Sequence, residues 1–199
     1  MRASLAAPPV FAVSRNDGGR IDLAADNGAT AHIFILERDI VRIAVLSDGV
    51  WSFPKTWAVA PGEEDVPVEG RDRLDLSGFS LPLYSSAETD GRLVVETAQI
   101  RLSVKLRGFL CAWEMKRGDD WVRVARDRPT QAYNFGWWGE HVHHYLTRDP
   151  REKYFGLGER SGEMARAGRR FRMTGTDAMG YSAKSSDPLY KHIPFYLTC

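Results

Sequence analysis

A strict two-residue alternation of apolar and polar side chains constrains the fold of this chain more than any other feature. It is clearest over residues 99–106, where every even position is apolar: Ile100, Leu102, Val104 and Leu106. Because successive side chains of a β-strand point to opposite faces, the pattern predicts a strand that is buried on one face only. No stretch has an apolar stripe of helical period longer than about two turns. We therefore expect an all-β chain.

Short connections between apolar runs predict β-hairpins on both sides of this strand. Residues 32–36 and 40–46 flank a brief polar connection, and residues 111–116 lead into 121–124 through a Gly-Asp-Asp turn. Residues 54–90, rich in proline, glycine and acidic side chains, are expected to be loops that join strands. Many short strands at this spacing predict two antiparallel sheets packed as a sandwich.

The charge balance and the cysteine content limit the possible partners. With 27 basic and 26 acidic residues the net charge is +1, so no overall field attracts nucleic acid or an anionic membrane. No apolar run approaches membrane-spanning length. Two cysteines, Cys111 and Cys199, favour a reducing compartment, and Cys111 is expected to be a buried free thiol. We expect a cytoplasmic location.

Glycines and arginines near the end of the chain have both a ligand-binding and a structural interpretation. The spacing of Gly156, Gly158 and Gly162 departs from a phosphate-binding loop and no helical pattern follows, so turns that need glycine explain them better. The arginines of residues 166–172 resemble a nucleic-acid surface. We predict instead a strand with these charges solvated and Phe171 and Met173 buried.

Histidines and tryptophans supply two further candidate sites. His141, His143 and His144 could bind a metal, but no further ligand motif accompanies them, so we predict polar strand residues and no metal or other cofactor. Trp137 and Trp138 lie between glycines, where flat rings either stack on sugars or pack in a core. The sequence leaves that choice open.

Catalytic motifs are not recognisable in this sequence. The carboxylates of residues 63–65 and 119–120 are typical of solvated turns, and no pair indicates an acid and a nucleophile on either side of a glycosidic bond. There is also no Gly-x-Ser-x-Gly nucleophile motif. We assign no catalytic residue.

Three ordered blocks in the last quarter resemble the N-terminal region of glycoside hydrolase family 31, the α-glucosidases and α-xylosidases. They are an aromatic-Gly-Leu-Gly-Glu-Arg block at residues 154–160, a Thr-Asp-Ala-x-Gly-Tyr block at 176–181, and an Asp-Pro-Leu-Tyr-Lys-His-Ile-Pro-Phe block at 187–195. The preceding residues match by β-rich character only.

The resemblance implies a galactose-mutarotase-like β-sandwich as a single N-terminal domain over residues 1–199, cut before a (β/α)8 catalytic barrel. Residues 195–199 fit this expectation, because they look like an interrupted strand. In the family, two barrel aspartates act as nucleophile and as general acid/base with retention of configuration. They would lie beyond Cys199, so the chain alone is expected to be inactive.

The resemblance also implies a substrate-binding loop at residues 174–190 that reaches the sugar pocket of the barrel. Asp177 matches the family's loop aspartate and would accept hydrogen bonds from sugar hydroxyls, Tyr190 offers a ring for stacking, and Tyr181 is a further candidate. Glu159 and Arg160 are expected to be structural, as a charge pair that fixes the loop, with a sugar contact as the alternative. From the residues alone, Asp177 could instead close a turn and Tyr190 could be core.

The predicted function is therefore that of an accessory domain of a retaining α-glucosidase, which acts on an α-glucoside or oligosaccharide with its own C-terminal barrel. Two alternatives remain: the N-terminal domain of an α-xylosidase, and an independent carbohydrate-binding module that uses Trp137 and Trp138. A free-standing sugar epimerase would rest on fold alone.

Overall fold

The computed structural model describes residues 7–62, 65–135 and 142–199. The chain divides into two compact units, Met1–Thr147 and Arg148–Cys199. Each is described by itself below, and the assignment of residues 1–199 to one domain stays a prediction.

The first unit contains a four-stranded antiparallel sheet that follows the order of the chain. Its connections are short because each strand pairs with the next one in sequence. The hairpin predicted from residues 32–46 is confirmed by the third and fourth strands. The strands are β1 (Phe11–Asp17), β2 (Arg20–Ala25), β3 (Thr30–Glu37) and β4 (Ile40–Leu46).

Along the chain, a small hairpin is followed by a second antiparallel sheet of five strands, in which each strand also pairs with the next one in sequence. The alternation over residues 99–106 is confirmed, because Ile100, Leu102 and Val104 are buried and the intervening residues are not. The predicted Gly-Asp-Asp hairpin joins the last two strands. The elements are β5 (Lys55–Thr56), β6 (Arg71–Asp72), β7 (Ser85–Thr89), β8 (Arg92–Glu96), β9 (Ile100–Lys105), β10 (Leu110–Arg117) and β11 (Asp120–Arg126).

The two sheets share one hydrophobic core. Ile21, Leu23 and Ile33 from the first sheet are fully or almost fully buried, and they belong to the same cluster as Leu102 and Val104 from the second. Burying such side chains stabilises the fold by about 1.5–3 kcal/mol each. The predicted all-β sandwich is therefore confirmed.

Short strands complete the fold. In the first unit, β12 (Tyr133–Asn134) pairs with β13 (His143–His144). In the second unit, β14 (Tyr154–Gly158) pairs antiparallel with β15 (His192–Thr198). The part of the chain that the structure describes contains no helix.

Candidate functional site

The candidate site is the loop of residues 174–190, which lies between the two strands of the second unit. Glycines determine the backbone path of β14, the first of these two strands. Gly156 has a φ of 107°, and a Cβ added to it would lie 2.7 Å from the carbonyl oxygen of Phe195. A Cβ on Gly158, whose φ is 78°, would lie 2.7 Å from the amide nitrogen of Ile193. Only glycine allows this backbone path and this close approach of β15.

Charged side chains that follow β14 hold the far end of the loop. The Arg160 Nη1 donates to Asp187 Oδ1 at 2.7 Å. The Glu159 carboxylate instead accepts a hydrogen bond from the backbone amide of Lys191 at 3.1 Å. The expectation that Glu159 and Arg160 pair with each other was therefore wrong, because each reaches a different residue in or after the loop.

Asp177 lies near the start of the loop with an exposed side chain. Within the described residues its carboxylate has no hydrogen bond or ion pair, so it closes no turn there. The backbone beside it is fixed, since the amide of Thr176 donates to the carbonyl oxygen of Leu189 at 3.2 Å. The carboxylate is therefore available to accept hydrogen bonds from a ligand.

Tyr190 and Tyr181 lie together in the same loop. Their ring centroids are 6.2 Å apart with an interplanar angle of 85°, an edge-to-face arrangement. Both are about half exposed, at 46% and 51%. The Tyr190 hydroxyl donates to the carbonyl oxygen of Ala178 at 3.2 Å, so this ring also ties the loop to itself. Tyr190 is therefore not a core residue, and part of its ring surface is open to a ligand.

The blocks in and around this loop belong to a longer sequence pattern. Residues 30–199 match the model of the glycosyl hydrolase 31 N-terminal galactose mutarotase-like domain. The chain belongs to this family. The resemblance inferred from the three blocks is thus confirmed, and the sandwich is the galactose mutarotase-like domain of glycoside hydrolase family 31.

Solved structures of family 31 enzymes share the fold of this domain. A Flavobacterium johnsoniae GH31 dextranase, in a variant complexed with isomaltotriose, matches 96% of the chain with a TM-score of 0.71 and 20% identity. A cycloalternan-forming enzyme from Listeria monocytogenes with a pentasaccharide substrate matches 86% with a TM-score of 0.59 and 13% identity. A GH31 α-xylosidase from Xanthomonas citri matches 79% with a TM-score of 0.50 and 14% identity.

The chain spans only part of these enzymes. It covers 21% of the dextranase, 14% of the cycloalternan-forming enzyme and 15% of the α-xylosidase. At these identities the likeness shows the fold and not the substrate. Comparison with curated protein sequences finds no match.

Three arginines of the second unit of this family 31 domain lie around one aromatic ring. Residues 169–176 form no strand, so the predicted alternation of solvated and buried side chains there was wrong. Instead, the guanidinium carbons of Arg160, Arg166 and Arg169 lie 5.8, 5.9 and 4.8 Å from the centroid of Phe171. These contacts are cation–π interactions within the second unit, which gives the cluster a structural role.

His144 lies in the first unit beside a buried carboxylate that the sequence interpretation did not single out. The Asp127 side chain is 1% exposed, and its Oδ1 lies 2.8 Å from His144 Nε2. Its Oδ2 accepts the backbone amide of Cys111 at 2.8 Å. The His144 ring stacks on Tyr133, with centroids 4.3 Å apart. No group of three or more metal-binding side chains occurs among the described residues.

This buried cluster keeps its thiol and phenol protonated. Burial, together with the Asp127 charge, raises the pKa of the Cys111 thiol well above its ordinary value, and burial likewise raises the pKa of Tyr133. Cys111 is a buried free thiol, as predicted, and a raised pKa makes it a poor nucleophile. The cluster is therefore structural.

Several interpretations remain outside what the structure tests. Trp137, Trp138 and His141 lie outside the described residues, so the carbohydrate-binding hypothesis that used the two tryptophans stays a hypothesis. The parts of the chain that are described include no helix able to cross a membrane. The cytoplasmic location stays a prediction.

Proposed function

We propose that this chain is the N-terminal accessory domain of a retaining α-glucosidase of family 31, and that its loop at residues 174–190 completes the substrate pocket of a catalytic barrel. Hydrolysis would release glucose from the non-reducing ends of α-glucosides. The chain itself would supply substrate contacts and no catalytic residue.

The observation that carries the proposal is the exposed Asp177 carboxylate in a domain of this family. A carboxylate with no partner among the described residues loses no intramolecular hydrogen bond when it exchanges water for a sugar hydroxyl. The half-exposed rings of Tyr181 and Tyr190 offer an apolar surface next to the same loop. Charged acceptors and flat rings are the combination with which proteins recognise sugars.

The proposed division of labour follows from the chemistry of retaining glycosidases. Two carboxylates about 5–5.5 Å apart are needed, one as nucleophile and one as general acid/base, and we assign both to strand ends of the barrel. Asp177 would instead hold hydroxyl groups of the sugar that does not react. It would reject analogues that lack those hydroxyls, because its desolvated carboxylate would then be unpaired.

The choice of an α-glucoside is supported by the ligands that are bound in the similar structures. The dextranase is complexed with isomaltotriose and the cycloalternan-forming enzyme with a pentasaccharide substrate. The similar α-xylosidase keeps the alternative of an α-xyloside open. Comparing hydrolysis of an aryl α-glucoside with that of the matching aryl α-xyloside distinguishes the two activities, since these sugars differ only in the hydroxymethyl group at C5.

The test is made in the full-length enzyme that carries this domain. Asp177→Ala is expected to lower kcat/KM for an aryl α-glucoside by about tenfold to a hundredfold, the loss expected for one hydrogen bond to a charged group. Asp119→Ala, which removes an exposed turn carboxylate of the first unit, is the matched control. Unchanged kinetics of the Asp177 variant would contradict the pocket role.

The isolated chain provides a second measurement. It is expected to hydrolyse neither aryl glycoside, because the proposed catalytic carboxylates are not part of it. Turnover by the purified chain that persists in an Asp177→Ala variant would contradict the division of labour.

A further inference from the structure

The second unit buries one guanidinium group. The Arg160 side chain is 1% exposed. It makes four polar contacts: Nε to the carbonyl oxygen of Leu157 at 3.0 Å, Nη1 to the carbonyl oxygen of Arg172 at 2.9 Å and to Asp187 Oδ1 at 2.7 Å, and Nη2 to Met173 Sδ at 3.0 Å. A buried charge persists only where partners replace its hydration, and Asp187 is the charged one.

These contacts reach both ends of the candidate loop. Arg172 and Met173 immediately precede residues 174–190, whereas Asp187 lies close to their end. The Asp187 carboxylate adds a second link, because its Oδ2 accepts the backbone amide of Arg172 at 3.4 Å. One guanidinium and one carboxylate therefore hold the two ends of the loop against the turn that follows β14.

Between these ends the loop is open. Its side chains at residues 179–186 are exposed apart from the half-buried Ser186, and Met179 is 85% exposed. Of the loop residues only Leu189 is buried, so apolar packing contributes little to its conformation. Polar contacts, among which the Arg160–Asp187 pair links the two ends of the loop, must then define the position of Asp177.

We propose that Arg160 and Asp187 are positioning residues that fix the substrate loop at 174–190 and thereby place Asp177 for sugar binding. This inference rests on the proposed function for its second half. Lysine cannot replace Arg160, because a single ammonium group lacks the planar fork that reaches several acceptors at once. Asparagine at position 187 keeps the shape of the side chain and removes the charge.

Amide hydrogen exchange of the chain tests the anchoring directly. The reporters are the amides of Thr176, which donates to Leu189, and Gly162, which donates to the carbonyl oxygen of Ala183 at 2.8 Å. Asp187→Asn and Arg160→Lys are each expected to speed exchange at both amides by about tenfold or more, since one partner of a buried pair is lost. Asp187→Glu, which keeps the carboxylate, should retain more protection than Asp187→Asn.

The matched control removes an exposed ion pair of the same unit. Arg151 Nη2 lies 3.2 Å from Asp149 Oδ2, and the two side chains are 91% and 51% exposed. Arg151→Gln should therefore change the exchange rates of the two reporter amides by less than about twofold. Asp187→Asn with exchange inside that limit would overturn the inference. Equal loss of protection in β9 would overturn it too, because the pair would then stabilise the whole chain and not the loop.

Kinetics of the full-length enzyme separate this inference from the proposed function. Asp187→Asn should raise KM with little change in kcat, and should add little to Asp177→Ala, because both act on the same contact. If Asp177→Ala leaves kcat/KM unchanged while Asp187→Asn loosens the loop, the pocket role fails and the anchoring stands. If Asp177→Ala impairs the enzyme while Asp187→Asn changes neither exchange nor KM, the positioning role fails alone.

Discussion

The two units of this chain are stabilised by different means. In the first, most buried side chains are apolar and come from two sheets that share one core, as with Ile33 and Leu102. In residues 148–199, all of which the structure describes, the buried residues are Arg160, Ser161 and Leu189, and every residue of β15 is exposed. A hydrophobic core therefore defines the sandwich, and a polar network defines the hairpin and loop.

This difference matters for function, because the two kinds of stabilisation leave different surfaces. A core hides the side chains that hold it together, so the sandwich offers rigidity. A loop that polar contacts hold in place, without a core of its own, leaves most of its side chains exposed, and Asp177 and Tyr181 are among them.

The largest expected effect is that of a core truncation in the first unit. Ile33→Ala should lower the free energy of unfolding by about 2–5 kcal/mol, because it removes buried methyl groups and leaves a cavity. Ile193→Ala in β15, where the side chain is 55% exposed, is the control and should cost less than about 1 kcal/mol. Urea unfolding followed by far-UV circular dichroism, which reports on strands of both units, measures both. Similar losses of unfolding free energy in the two variants would contradict the conclusion that the two units are stabilised by different means.

An intermediate effect is expected when a buried, hydrogen-bonded hydroxyl is removed from the first unit. Thr97 is 5% exposed, and its Oγ1 accepts the amides of Ile100 at 3.0 Å and Gln99 at 3.2 Å. Thr97→Val leaves those donors unpaired and should cost about 1–3 kcal/mol.

The counterpart in the second unit is Ser161. Its hydroxyl is buried and has no hydrogen-bond partner among the described residues. Ser161→Ala should therefore change the free energy of unfolding by less than about 0.5 kcal/mol, or stabilise slightly. Thermal unfolding of the two variants side by side measures the difference, and a costly Ser161→Ala would show a hydrogen bond that the structure does not contain.

A smaller effect than that of Thr97→Val is expected from acidification. Burial by itself raises the pKa of the Asp22 carboxyl, but hydrogen bonds with His32 and Arg20 outweigh it and hold that pKa below its ordinary value. A carboxyl with a depressed pKa in the folded state stabilises the fold above its unfolded pKa of about 3.9, and loses this contribution as the pH falls toward the folded value.

The Asp22 contribution can be separated from that of an exposed pair. Asp22→Asn should reduce the fall in Tm between about pH 6 and pH 3 by about 2–5 °C. Asp149 also has a depressed pKa, through hydrogen bonds with Arg151, but it is solvent-exposed, so Asp149→Asn should leave the acid dependence almost unchanged. An equal response of the two variants would contradict the distinction.

The sequence predicted those parts of the fold that depend on neighbouring residues. Alternation identified β9 and its buried face, and short turns identified the hairpins β3–β4 and β10–β11. The same argument failed at residues 170–173, where polar and apolar residues also alternate but no strand forms. Alternation describes a strand only where another strand supplies hydrogen bonds to its backbone.

The sequence predicted where the candidate loop lies in the chain, but not which side chains contact one another there. The three blocks located residues 174–190 and the aspartate within them. They did not reveal that Arg160 pairs with Asp187, 27 residues away, in place of its neighbour Glu159. An arginine next to a Gly-Leu-Gly turn could have indicated a buried charge, but only the folded chain shows which carboxylate meets it.

By itself, the sequence determined the all-β class, the main hairpins, the family and the absence of a recognisable catalytic motif, because backbone geometry translates local periodicity directly into strands and faces. The tertiary structure decided which charges pair, that Asp127 is buried beside His144, and that Asp177 has no partner among the residues that the structure describes. The physical reason is that the cost of burying a charge or a polar group depends on what lies within hydrogen-bond distance, and residues far apart in sequence fix that.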